Sequence, residues 1–120
     1  MQHTDLTSER WSKLSLAEQM ANIGSEVERA IKWQKKQNFE YAGLANQRAL
    51  ELFDLTKSTV RRASAIKEVA RARELWLDFF VGENQYQQTA DQWRKYFLAF
   101  NTAANLFGRE RRDSNPQPLP

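Results

Sequence analysis

Residues 15–38 read SLAEQMANIGSEVERAIKWQKKQN, and their reading decides the fold. Ser15 followed three residues later by Glu18 has the form of a capping box: the hydroxyl and the carboxylate each take a backbone N–H that the first helical turn leaves free. Leu16, Met20, Ile23, Val27, Ala30 and Ile31 then recur at the spacing that lays apolar side chains along one face of an α-helix. Lys32, Lys35 and Lys36 gather where the helix dipole favours cations. Gln37 and Asn38 supply the turn, and Asn38 can cap the next helix.

The same reading extends outward. A second helix is predicted over 39–56, with Tyr41, Ala45, Ala49, Leu52 and Leu55 on its buried side. TKST at 56–59 breaks it, and Ser58 or Thr59 caps the third helix. The third runs to about Val81 with Ala63, Ile66, Val69, Ala70, Trp76, Leu77 and Phe80 inward, and Gly82 ends it. After the loop GENQYQQ, TADQ at 89–92 repeats the capping-box pattern with Thr89 and Gln92. The fourth helix then places Trp93, Tyr96, Phe97, Phe100, Ala103, Ala104 and Phe107 on one face, and Gly108 stops it. Long helices on short loops make antiparallel neighbours. The expectation is an all-α, antiparallel four-helix up-down bundle over residues 15–108. Residues 1–14 form an N-terminal arm or short helical turn that packs Trp11 over one end. The segment 109–120 reads as a disordered, Pro-rich tail.

Composition agrees with one such domain. The chain has 120 residues, 41% of them apolar, with four Trp, seven Phe and three Tyr. Its three prolines all fall in the last five residues, so helices can run uninterrupted before them. There is no cysteine, which excludes disulfide frameworks and thiolate metal sites. No apolar run has the length of a membrane span, and the N-terminus has no apolar core of a signal peptide. A cytoplasmic protein is the expectation. A net charge of +3 does not by itself indicate nucleic-acid binding.

The polar residues on the predicted faces are the functional clues. Arg73 falls among Ile66, Ala70, Leu77 and Phe80, and Arg48 among Leu44, Ala45, Leu52 and Leu55. Glu26 lies between Ile23 and Ala30, and Tyr96 sits inside the fourth stripe. A buried guanidinium must be paired, and Glu26, Glu51 or the Tyr96 hydroxyl are the candidate acceptors. Glu26, Arg48, Arg73 and Tyr96 thus form either a polar seam that fixes helix register or a cleft for phosphate, nucleotide or an acidic partner. Lys57, Arg61, Arg62, Lys67 and Arg71 surround the start of the third helix, with Glu68 the one acid among residues 57–73. They are either a solvated face or a nucleic-acid patch. Leu75 and Phe79 on the third helix, with Leu50 on the second, lie off the stripes and suggest a partner face, such as a dimer surface. Tyr86 in the loop after Gly82 covers the end of the bundle or serves recognition.

No catalytic constellation appears. The one histidine, His3, is near the N-terminus, so no imidazole supports a nucleophile or completes a metal ligand set. Glycine-rich phosphate loops are absent too. No enzyme activity, metal or cofactor is expected. EQMANIGSEVERAIKW at 18–33, RALELFDLT at 48–56, RARELWLDFFVGENQY at 71–86 and YFLAFNTAA at 96–104 together resemble short bacterial helical proteins related to the HEPN (higher eukaryotes and prokaryotes nucleotide-binding) superfamily. The resemblance spans about residues 8–108 and implies a helical bundle that dimerises through its last helices. It also implies a toxin–antitoxin-like two-gene setting with a minimal nucleotidyltransferase as partner. Active members are metal-independent ribonucleases with an arginine followed four to six residues later by histidine. No histidine follows position 3 here, so no catalytic residue is carried over. The expected function is a non-catalytic, homodimeric interaction module. The alternative is an RNA- or nucleotide-binding protein, ribonuclease toxin-like, that uses the basic patch and Arg73.

Overall fold

A computed structural model describes residues 8–113, with side chains to residue 106. Five helices and no strand occur among the described residues: α1 (residues 8–12), α2 (Leu16–Lys35), α3 (Phe39–Thr59), α4 (Ala63–Phe80) and α5 (Ala90–Asp113). No helix among them is long and apolar enough to cross a membrane.

The capping chemistry sets most of these boundaries. At α2, the Ser15 N–H donates to Glu18 Oε1 at 2.8 Å and the Glu18 N–H to Ser15 Oγ at 3.1 Å. Thr89 and Gln92 repeat the reciprocal pair ahead of α5, at 2.8 and 3.1 Å. The end of α2 is a Schellman turn. Gln37 takes φ 63°, its N–H reaches the Gln34 carbonyl, and the Asn38 N–H reaches the Trp33 carbonyl, both at 2.9 Å. Asn38 Oδ1 then accepts from the Tyr41 N–H at 3.1 Å and opens α3.

Three predicted boundaries move. Ser58 and Thr59 do not cap α4; their hydroxyls donate back to the Leu55 and Thr56 carbonyls, at 2.9 and 3.3 Å, and prolong α3. The connection 60–62 is correspondingly short, and α4 opens at Arg62 without a side-chain cap. Gly82 is not in the left-handed region; Asn84 is, with φ 53°. The glycine instead makes room, since a Cβ there would stand 3.1 Å from the Asp78 carbonyl oxygen. At the other end of the sequence α5 continues through Gly108 to Asp113. An interior glycine costs a helix only about 1 kcal/mol, and the Arg- and Glu-rich residues after it are good helix formers. The remainder of the predicted tail, residues 114–120, lies outside the described residues.

α2 is the central element, packed on α3 along one side and α5 along another, while α3 also carries α4. Gly24 permits the close α2–α5 approach: a Cβ at that position would sit 2.7 Å from Phe97 Cβ. α4 and α5 meet through long side chains, with Trp93 edge-on to Trp76 at 5.6 Å and tilted against Phe79 at 6.5 Å. Met20, Ile23, Phe53, Val69 and Trp76 are fully buried at the centre.

Of the α4 residues predicted inward, Val69 and Trp76 are buried, Ile66, Ala70, Leu77 and Phe80 are half-buried and Ala63 is exposed; the rest of the buried face, Ala65 and Ala72, lies one residue ahead of Ile66 and Arg73. One residue is a rotation of about 100°. Alanines on both sides of α4 leave its pattern ambiguous, and the bulk of Trp76 settles the phase. The rotation brings Phe79 and Leu75 inward. Both are half-buried against the core, as is Leu50, so they are not the free partner face that the sequence suggested.

Candidate functional site

The four polar residues predicted to share a seam do not share one. Glu26 is paired one helical turn away, with Arg29 Nη1 at 3.0 Å. Arg73, turned to the flank of α4, lies with Nε 3.0 Å from Asp54 Oδ1 of α3. Its N–H is not aimed at the carboxylate, so this is an ion pair without a directed hydrogen bond. The side chains remain 30% and 59% exposed, which places the pair at the surface. Asp54 was hidden from sequence reasoning because its partner had been assigned to the wrong face. Tyr96 donates to Glu68 Oε2 at 3.1 Å, linking α5 to α4. Burial first, then the adjacent Glu68 carboxylate, pushes the Tyr96 phenol well above its ordinary value of 10.0. Arg48 is exposed on α3.

The polar network that is buried lies elsewhere. Trp11 of α1 donates its indole N–H to Thr56 Oγ1 at 2.9 Å, and Gln19 Nε2 donates to the Trp11 carbonyl at 2.8 Å. Thr56 and Gln19 are both buried. Trp11 thus does cover one end of the helices, held there by two side chains that read as ordinary helix-surface residues in the sequence. Trp76 is satisfied similarly, donating to Asn46 Oδ1 at 2.7 Å.

At the opposite end of the α2–α3 pair the surface is open. Phe39 is 65%, Leu44 58% and Tyr41 48% exposed, although Tyr41 was expected on the buried side. The Tyr41 ring stands edge-on to Trp33 at 4.9 Å, and Lys36 Nζ lies 5.4 Å from the Trp33 ring centroid. Below this cluster a groove of about 550 Å³ runs between α2 and α3, with Leu44 and Trp33 inside it and Glu26, Arg29, Arg48 and Glu51 around it. Two acids and two bases thus share the groove with apolar side chains. Two of the predicted seam residues, Glu26 and Arg48, meet here, on an external face.

No family model, curated protein or solved structure matches the chain. Its own geometry must carry the functional reading.

Of the five predicted patch residues, Lys57, Arg61 and Arg62 lie at the α3–α4 corner, while Lys67 and Arg71 lie about one and two turns into α4. Lys57, Arg61, Arg62, Lys67 and Arg71 are all exposed, and none forms an ion pair among the described residues. In the following loop, the Asp78 carboxylate accepts from the backbone N–H groups of Gln85 and Tyr86 at 2.9 and 3.1 Å. The Asn84 amide brackets Gln88, donating to its carbonyl and accepting from its N–H, each at 2.9 Å. The Tyr86 side chain stays exposed and does not close the end of the helices. No group of three or more carboxylates or imidazoles that could hold a metal ion occurs among the described residues.

Proposed function

We propose that this protein is a non-catalytic, cytoplasmic helical-bundle module that associates with a second copy of itself through the open end of the α2–α3 pair. One observation carries the reading: Tyr41 and Leu44 stand exposed on the wall of a groove lined by both acids and bases. Burying Leu44 fully is worth roughly 1.5–3 kcal/mol. A face with apolar side chains and both charge signs suits a second copy of itself, because a twofold axis passing between an acid and a base pairs each with its opposite on the other copy. The long helices run alternately up and down in this reading. Supporting that, Gln19 is near Thr59, Asn46 near Trp76, Glu28 near Arg94, and Glu68 near Tyr96.

The resemblance to non-catalytic HEPN proteins is part of the same proposal, and it makes a minimal nucleotidyltransferase the other candidate for this face. The test is sedimentation velocity over a concentration series. The native chain should sediment as a dimer, Leu44→Arg as a monomer with unchanged helicity, and Leu98→Arg, on the outer side of α5, as the native dimer. A native chain that remains monomeric at every concentration contradicts the proposal.

A second reading rests on five exposed, unpaired cations that run from the α3–α4 corner along α4, which suit a nucleic-acid backbone. It predicts binding of single-stranded RNA that weakens steeply with salt and is lost when Arg61, Arg62 and Arg71 are neutralised. Arg73 has no part in it, being engaged by Asp54.

A further inference from the structure

The end of the molecule that bears Trp33 and Tyr41 also bears the loop between α4 and α5. From the short connection 60–62, α4 returns along α3, where Trp76 donates to Asn46 at 2.7 Å. α5 runs back along α2, with Arg94 on Glu28 at 2.9 Å and Phe97 against Gly24. Beyond these contacts α2 and α3 continue for about two turns to residues 36–38, and α4 and α5 for about one turn to residues 81–89. The α2–α3 turn and the α4–α5 loop therefore share one end.

Their charges are opposite. From Ala30 to Gln47 the cations are Lys32, Lys35 and Lys36, and the acid is Glu40. From Glu74 to Trp93 the acids are Glu74, Asp78, Glu83 and Asp91, and there is no cation. Lys35, Lys36 and Glu83 are exposed and form no ion pair among the described residues.

Both sides also expose apolar surface. Phe39 and Tyr41 stand out on the first, and Val81 and Tyr86 are 65% and 60% exposed on the second. Tyr86 is held out by a fixed backbone: Asp78 accepts the N–H groups of Gln85 and Tyr86, and the Asn84 amide brackets Gln88. Such a loop loses little freedom when it is covered, and tyrosine is enriched in interfaces.

We propose that the α4–α5 loop is the second half of the self-association face, and that the α2–α3 turn of one copy seats on the α4–α5 loop of the other. A twofold axis between turn and loop makes this contact twice, each time setting lysines against acids. Setting turn on turn would oppose lysine to lysine, which is unfavourable. The inference rests on the self-association reading and adds which surface the partner copy presents.

Two charge variants of the full chain, studied by sedimentation velocity, test it. Lys35→Glu with Lys36→Glu, and separately Glu83→Lys, put like charges across the contact in their own homodimers. Each should raise the dimer dissociation constant at least about tenfold, as like charges brought together do. An equimolar mixture of the two restores opposite charges at both contacts and should sediment as a heterodimer. Tyr86→Ala, which alters no charge, should weaken the native dimer as well. A native chain that is monomeric at every concentration overturns the self-association reading and this inference with it. A native dimer that survives both charge variants, or variants that stay monomeric when mixed, overturns this inference alone. So does a dimer that Tyr86→Ala leaves at native strength.

Discussion

The two ends of the α2–α3 pair differ in one respect that governs how the molecule is read: one is closed and the other is not. At the closed end Trp11 is buried, its N–H satisfied by Thr56, and Gln19 fastens its backbone. At the open end Trp33 is half-buried, leaning on Tyr41 and Lys36, with Phe39 and Leu44 in solvent. The same two helices thus end once in a packed polar network and once in an uncovered apolar cluster. The difference teaches that the exposed residues at the open end are not a by-product of helical patterning. α1 covers one end, and nothing among the described residues covers the other.

The largest effect should separate the two ends by stability. Trp11→Ala removes a buried ring and strands the Thr56 hydroxyl, and should cost about 3–5 kcal/mol in denaturant unfolding. Trp33→Ala should cost a good deal less while weakening self-association. Equal costs would break the comparison. Gly24→Ala probes the α2–α5 contact that both ends share. Its Cβ would stand 2.7 Å from Phe97 Cβ, so overpacking should cost roughly 1–3 kcal/mol despite the better helix propensity of alanine. Arg73→Ala should cost below about 1 kcal/mol, because its partner Asp54 is largely exposed and screened by solvent.

The smallest effect at neutral pH is that of Tyr96→Phe, and it sharpens the picture at alkaline pH. The folded state raises the Tyr96 phenol above its ordinary value of 10.0, first through burial and then through Glu68. The folded chain then holds a proton that the unfolded chain releases, so stability is full below about pH 10 and declines as pH rises further. Thermal melts between pH 9 and pH 11 (about one unit either side of the ordinary phenol value) should show a shallower decline for Tyr96→Phe than for the native chain.

Much of this fold was legible because its punctuation is chemical and local. Ser15–Glu18, Asn38 and Thr89–Gln92 mark helix starts by hydrogen bonds made within three residues, and all three operate as the sequence implies. Faces were legible only where large side chains outnumber small ones. In α2 the stripe of Met20, Ile23, Val27 and Ala30 is buried as expected. In α4, Val69 and Trp76 lie inward as expected, but alanines flank the helix on either side, and the rest of the predicted stripe lies one residue late. That single rotation misplaced Arg73, Leu75 and Phe79 together. The open end was invisible for a related reason: Tyr41 and Leu44 look like core residues until α3 is seen to bury Ala42, Phe53 and Thr56 instead. The Trp11–Thr56 bond, spanning 45 residues, has no local signature at all.

The central claim is that the open end of the α2–α3 pair is where a second copy binds, and hydrogen exchange tests it most directly. Backbone amides of residues 36–48 should exchange more slowly in the native protein than in Leu44→Arg, while those of residues 11–19 and 52–59 exchange alike in both. Equal exchange over residues 36–48, or added protection confined to α5, would contradict the account.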